Sequence, residues 1–182
     1  MSRAPVATSP AQAETVVLQL GIDGLDAFLQ GWQQWRNSPH PAPRLHHVVV
    51  LDEARAANAL RSAIADSDCP DLAQQLAASW PPLTPGLHRL AFDDGQVQLL
   101  LAVGRHRRWL SQLLLRADSV QAGDVHRLID HPRQLQPLAK ALARLCKTGA
   151  RLRCTPAEPA VARALVSVGF ELSAVAEGEP LA

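Results

Sequence analysis

The sequence has no tyrosine, one methionine, four tryptophans and three phenylalanines. It therefore lacks the rows of aromatics on which single-strand binders stack bases. Its three cysteines, Cys69, Cys146 and Cys154, are odd in number and far apart. They suggest neither a disulfide framework nor a zinc site, and each stands in an apolar or helical context as a small buried hydrophobe. No apolar run nears the roughly 20 residues a helix needs to cross a bilayer, and the opening MSRAPVATSPAQA has no apolar core of a secretory signal. A cytoplasmic protein without membrane partners is the expectation. The net charge of +1 gives no overall field toward nucleic acid, so such contact must come from a local patch. No G-x-G-x-x-G fingerprint, P-loop or nucleophile elbow occurs.

What remains is a chain of 182 residues, 47% hydrophobic and 19% charged, long enough for one domain with a sizeable core. Residues 1–13 are expected as a disordered Ala/Pro/Ser lead and 14–182 as a single domain. VVLQLG, residues 16–21, is a short continuous apolar run bounded by glycine, the mark of a strand buried on both faces. Leu25, Phe28, Leu29, Trp32 and Trp35 then recur on one helical face until the prolines of NSPHPAP stop it. HHVVVLD predicts a second buried strand ending in acid, residues 53–64 an Ala-rich helix, and CPDLAQQLAASW a third helix carrying Leu72, Leu76 and Trp80. LHRLAF, DDG and QVQLLLAVG read as an antiparallel hairpin about a tight turn.

Beyond it, RHRRWLSQLLLRA predicts a short basic helix and DSVQAGDV a strand interrupted by Gln121 and Gly123. Leu135, Leu138, Leu142 and Leu145 predict an amphipathic helix closed by KTG, with Lys147 in its last turn and Gly149 near its C-cap. ARLRCT, PAEPAVARALVSVG and FELSAV follow as strand, helix and strand. Alternating strands and helices at this spacing predict an open, mostly parallel α/β sheet. Ligands in such sheets bind beyond the carboxyl ends of the strands, here the turns after Leu20, Leu51 and Val103 and near Gly123.

Several stretches together carry a resemblance: GIDGLDAFLQGWQQW with its Trp32 and Trp35, RLHHVVVLD, WPPLTPGLHRLAF with the turn that follows, and TGARLRCT…VARALVSVGFEL. Over about residues 16–172 the chain resembles the methyltransferase half of the bifunctional enzymes that complete 5-methylaminomethyl-2-thiouridine at the tRNA wobble position. The resemblance implies a class I S-adenosylmethionine-dependent methyltransferase-like fold, a Rossmann-like three-layer sandwich with an inserted β-hairpin, and it implies tRNA as a partner. In that family a G-F-G-T-G-L-N-F loop holds S-adenosylmethionine, because glycine backbone approaches the cofactor closely and a helix N-terminus offers free N–H groups.

Matched through Phe28, Trp32 and Trp35, the loop keeps Gly21 and the aromatic. Its second glycine falls on Asp23, its threonine on Gly24, its third glycine on Leu25 and its asparagine on Ala27. Asp23 adds like charge beside the cofactor carboxylate, and side chains at 23 and 25 are expected to fill the methionine space. The ribose-binding acid lines up with Leu51, one residue from Asp52. An F-G-D-A loop on the adenine side stands here as VGRH, so Arg105 replaces its carboxylate. The acceptor-side D-A-W-F-L-D-G-F-A-P stretch is DSVQAGDVHRL, in which Asp118 matches the first acid and the second falls on Gly123, next to Asp124. The flavin half of the family is missing from this sequence.

The expected role is therefore that of a methyltransferase-like protein whose S-adenosylmethionine site, at Gly21, Asp23, Gly24 and Asp52, has decayed. It would serve as a non-catalytic partner- or RNA-binding scaffold, or as a homodimer covering apolar sheet edges. The alternative is an active tRNA methyltransferase that binds the cofactor through Gly21, Gly24 and Asp52 and sets its acceptor amine near Asp124; a third is an α/β module for another small ligand. GRHRRWL has two readings, an RNA-phosphate patch formed by Arg105, Arg107 and Arg108 and a solvated helix start whose arginine stems cover apolar surface. His46 and His47, adjacent on a strand, point to opposite faces and cannot share a metal. His126 and His131 lie five apart near Asp124 and Asp130, off the helical ligand spacing. Neither a metal nor a flavin is expected.

Overall fold

In the computed structural model, described for residues 14–20, 25–52, 58, 61, 67–155 and 158–171, six strands form one sheet. The expected lead at 1–13, the glycine turn at 21–24, most of the helix expected over 53–64 and the last strand beyond residue 171 lie outside the described residues. The strands are β1 (Thr15–Leu20), β2 (Leu45–Leu51), β3 (Gly86–Phe92), β4 (Val97–Val103), β5 (Ala117–Asp124) and β6 (Cys146–Thr155). Their order is β3-β4-β2-β1-β5-β6, and every neighbouring pair is parallel except β3 with β4. This is the mostly parallel sheet with an inserted hairpin that the sequence predicts. β5 forms along its whole length despite Gln121 and Gly123, since β1 and β6 pair it from both sides.

The chain runs outward from β1 to β2 and the hairpin, then crosses to β5 on the other side of β1. The order therefore reverses between β1 and β5, the place where open α/β sheets bind ligands beyond the carboxyl ends of their strands. Helices cover both faces. On one, α1 (Asp26–Asn37) and α2 (Pro70–Ala78) bury Phe28, Leu29, Trp32, Leu72 and Leu76 against Val49, Leu51, Leu99 and Leu101. On the other, α3 (His106–Gln112), α4 (Leu135–Leu145) and α5 (Pro159–Val166) bury Trp109, Leu110, Leu138, Leu142, Val161 and Leu165 against Leu18, Leu20, Val48 and Val50. The strand alternation is visible in these sets: Val48 and Val50 feed one core, Val49 and Leu51 the other. Each fully buried Leu or Phe contributes about 1.5–3 kcal/mol of apolar transfer.

The hairpin turn, Asp93–Gly95, holds three consecutive residues at positive φ: Asp93 at 49°, Asp94 at 55° and Gly95 at 83°. Aspartate tolerates this region better than most residues with a Cβ. Asp93 is further fixed from outside. Its carboxylate accepts the indole N–H of Trp32 at 2.5 Å and Nε–H of Arg36 at 2.9 Å, and it pairs with a terminal guanidinium nitrogen of Arg36 as well. Within α1 the Arg36 guanidinium lies 5.0 Å from the Trp32 ring centroid, and the helix is pinned to the hairpin by the Arg36 ion pair and the Trp32 indole N–H. The same pairing holds the Asp93 carboxyl below the usual carboxylate range and raises Arg36.

Two helix ends differ from expectation. α2 stops at Ala78, two residues before Trp80, which still packs partly on the core. α4 stops at Leu145, and Cys146, at φ −87° and ψ 149°, already begins β6. Lys147 is therefore a strand residue, with Nζ 2.7 and 2.8 Å from the two carboxylate oxygens of Asp118. The extra residues are absorbed by a register shift opposite Ala117 and Ser119, where Gly149 takes φ +80°. A glycine followed the helical period as a C-cap would, but tertiary pairing claimed it for a bulge.

Candidate functional site

The parallel register brings four strand ends to one edge. Leu20 is level with Val50 and Ala122, and Leu51 with Val103. The described residues leaving these ends are site candidates: Asp52 after β2, Gly104 and Arg105 after β4, and the backbone of Asp124 closing β5. Gly21, Asp23 and Gly24 lie outside the described residues, and so does the side chain of Asp124. Asp52 is half-buried and engaged.

Leu25 precedes α1 at φ −107°, a value open to any residue, and its side chain is fully buried in one cluster with Phe28, Leu29, Trp32 and the strand-end residues Leu51 and Val103. One residue on, Oδ1 of Asp26 is buried with no hydrogen-bond partner among the described residues.

At the end of β4, Gly104 adopts φ +138°, and its N–H donates to the carbonyl of Leu51 at 2.8 Å. A Cβ at Gly104 would lie 3.1 Å from Nε1 of Trp109. Trp109 is 8% exposed and its indole N–H is buried without an acceptor among the described residues. The glycine is thus required twice, by backbone angle and by the indole above it. Its chemistry-bearing neighbour, Arg105, is exposed.

The three arginines of GRHRRWL are all exposed, and they separate the two readings of that stretch. Arg108 lies 5.8 Å from the Trp109 ring centroid, so its stem covers apolar surface. Arg105 and Arg107 have no ion-pair partner among the described residues. His106 turns inward and is engaged.

Asp118 is not part of the edge. It sits near the amino end of β5, about 20 Å along the strand from Asp124 at the usual strand rise. Its carboxylate accepts the Val16 N–H at 2.8 Å and binds Lys147. It joins three strands, and this structural role accounts for the acid without any chemistry.

His46 and His47 do face opposite ways. His46 Nε2 approaches Glu14 at 3.3 Å, and His47 is buried beside Gln19. No group of three His, Cys, Asp or Glu able to hold a metal gathers among the described residues. Of the cysteines, Cys146 is buried and Cys69 and Cys154 are half-buried. Burial raises all three thiols, with Asp68 adding to the effect at Cys69, so none is a ready thiolate nucleophile. No described helix is long and apolar enough to cross a membrane.

No protein-family model matches the chain. Among curated proteins it is similar to the tRNA 5-methylaminomethyl-2-thiouridine biosynthesis bifunctional protein MnmC of Acidovorax sp. (strain JS42). That match is 40% identical over 177 residues, covering 90% of this chain and 26% of the relative. The protein of the same description from Paraburkholderia phytofirmans is 38% identical over 85% of this chain and 24% of its own length. That from Cupriavidus necator is 37% identical over 89% and 25%. The chain thus spans about a quarter of the length of the curated relatives it matches. Among solved structures, MnmC2 from Aquifex aeolicus superposes with a TM-score of 0.61 at 13% identity, over 87% of this chain and 48% of that one. The shared architecture is a Rossmann-like, methyltransferase-type α/β fold.

Proposed function

The chain is a homologue of a quarter-length stretch of the MnmC bifunctional tRNA-modification proteins, and from that premise we propose a methyltransferase-like protein that binds RNA without catalysing methyl transfer. The observation that carries this reading is Arg105. It leaves the carboxyl end of β4 as an exposed guanidinium, at the position where the family resemblance sets a carboxylate for the adenine side of S-adenosylmethionine. A guanidinium donates hydrogen bonds and accepts none, so it cannot receive the adenine amino group. It also adds positive charge beside a cofactor that carries a sulfonium. Arg105 therefore does not fit the cofactor in the family's manner.

Leu25 refines the argument. Its side chain is fully buried with Phe28, Leu29 and Trp32, so the loop has lost glycine's freedom of backbone at that position. The loop also departs at Gly24 and Ala27 and, most sharply, at Asp23, whose charge opposes the cofactor carboxylate.

A second reading, an active S-adenosylmethionine-dependent tRNA methyltransferase, draws support from Asp52 after β2 and from Oδ1 of Asp26, unpartnered among the described residues. In it Gly21 and Gly24 would give the cofactor close backbone approach, Asp52 would take ribose hydroxyls, and Asp124 would orient the acceptor amine. Titration calorimetry with S-adenosylmethionine and S-adenosylhomocysteine separates the two. The expected outcome is no saturable heat. Micromolar binding abolished by Gly21→Val overturns the first reading and establishes the second.

A further inference from the structure

We propose that the cleft between α4 and α5 is a second RNA-contact site, one that grips phosphodiester groups without reading bases. The proposal rests on the RNA-binding reading above and assigns it a surface distinct from Arg105, Arg107 and Arg108.

The first support is how charge is distributed. Between Arg105 and Arg163 the sequence holds twelve of its 18 lysines and arginines but four of its 17 acids. The net charge of +1 thus conceals a strongly basic span set against acidic flanks. That span builds α3, β5, α4, β6 and α5, so the fold gathers it on the β5–β6 half of the sheet and on one helical face. In the other half, Arg36 is neutralised by Asp93 and Arg44 by Glu14. In the basic half, Lys147 is spent on Asp118, and Arg144 donates to the carbonyls of Leu110 and Leu113 at 2.6 and 3.1 Å. Arg133 and Arg163 have no ion-pair partner among the described residues.

The second support is shape. Arg133, in the turn that leads into α4, and Arg163, on α5, line opposite sides of an open cleft of about 330 Å³. Between them Gln136 Nε2 donates to Ser167 Oγ at 2.9 Å, bridging the two helices. Ala160 and Ala164 contribute small side chains to the lining, so a ligand can approach closely, and no acid lines the cleft among the described residues. Planar guanidinium forks match the oxygens of a phosphate, and the neutral amide and hydroxyl add hydrogen bonds without adding charge. Among the described residues no aromatic lines the cleft, so bases find no stacking partner there, and the site takes backbone irrespective of sequence.

The test is RNA binding by the full chain, measured by filter retention of a tRNA transcript across a salt series. Arg133→Ala/Arg163→Ala is expected to weaken binding about tenfold and to flatten the log–log salt dependence by roughly 1.5, the loss of two phosphate contacts. Arg133→Lys/Arg163→Lys is expected to keep the salt slope. If wild type binds and the alanine pair leaves affinity and slope unchanged, the cleft is overturned while the RNA reading stands. If wild type does not bind RNA, both are overturned. If poly-glutamate at equal charge displaces the RNA as well as unlabelled tRNA does, RNA is overturned as the occupant in favour of an acidic polypeptide.

Discussion

His47 Nε2 lies 3.0 Å from Oε1 of Gln19, joining β2 to β1 at the centre of the sheet with both side chains out of water. The carboxamide oxygen can only accept, so the imidazole carries its proton on Nε2 and is neutral. Its other nitrogen, Nδ1, has no partner among the described residues, and the ring meets Phe28 edge-on at 5.5 Å between centroids. Desolvation lowers the His47 pKa from 6.5 to about 3.

The pH dependence of stability follows from that shift. Between pH 6.5 and about 3 the unfolded chain binds a proton at His47 that the folded chain refuses. Stability is therefore fully present above pH 6.5 and declines as pH falls through this window, by up to about 1.4 kcal/mol per unit. From pH 7 to pH 5 the expected loss from this residue is about 2 kcal/mol. Urea unfolding at the two pH values checks it. His47→Gln, which keeps an N–H donor near Nε2 but cannot titrate, is expected to remove most of the difference. A wild-type midpoint that does not move between pH 7 and pH 5 would refute the assignment.

Asp94 carries a side chain where the backbone favours glycine, at φ 55° and ψ 29°. Among the described residues its side chain makes no contact like that of Asp93, whose carboxylate holds Trp32 and Arg36. The two neighbours should respond in opposite directions. Asp94→Gly is expected to stabilise the chain by a few tenths to about 1 kcal/mol by relieving left-handed strain. Asp93→Ala is expected to cost about 2–3 kcal/mol, because it strands a part-buried indole N–H and unpins α1 from the hairpin. Thermal unfolding of the two variants beside wild type decides the point, and equal shifts of the same sign would contradict it.

Gly104→Ala adds a Cβ 3.1 Å from the indole nitrogen of Trp109 at a φ of +138°. Either the strand end or the indole must yield. A loss of about 1–3 kcal/mol in unfolding free energy is expected, together with a changed near-ultraviolet circular dichroism signal from the displaced ring. Stability and spectrum both identical to wild type would mean that the loop after β4 accommodates a side chain freely.

The sheet was legible in the sequence because parallel strands buried on both faces read as unbroken apolar runs, as LHHVVVL does. The hairpin was legible because DDG can supply three positive-φ residues in succession. What misled was local period taken without tertiary pairing. Gly149 looks like a helix cap until Lys147 is seen to reach Asp118. Asp118 matched a family acid by order alone, and its bond to the Val16 N–H could not be inferred before β1 and β5 were known to be neighbours. The basic span was open to counting all along. Averaging charge over the whole chain hid it, and the topology then gave it a face.

Leu25 bears most directly on whether the edge could be returned to a cofactor loop by substitution. Restoring the family's third glycine, Leu25→Gly, looks on sequence grounds like a step toward binding. The structure predicts the reverse. Leu25 is fully buried against Phe28, Leu29 and Trp32 at a φ of −107° that needs no glycine. Removing its side chain opens a cavity under the first turn of α1 and loosens the backbone there, at a cost of about 3–5 kcal/mol. The strand-to-helix turn that should present N–H groups to a ligand would be less ordered than before. Urea unfolding of Leu25→Gly is expected to show this loss, with no gain of S-adenosylmethionine heat by calorimetry. A loss below about 1 kcal/mol would place the Leu25 side chain outside the core.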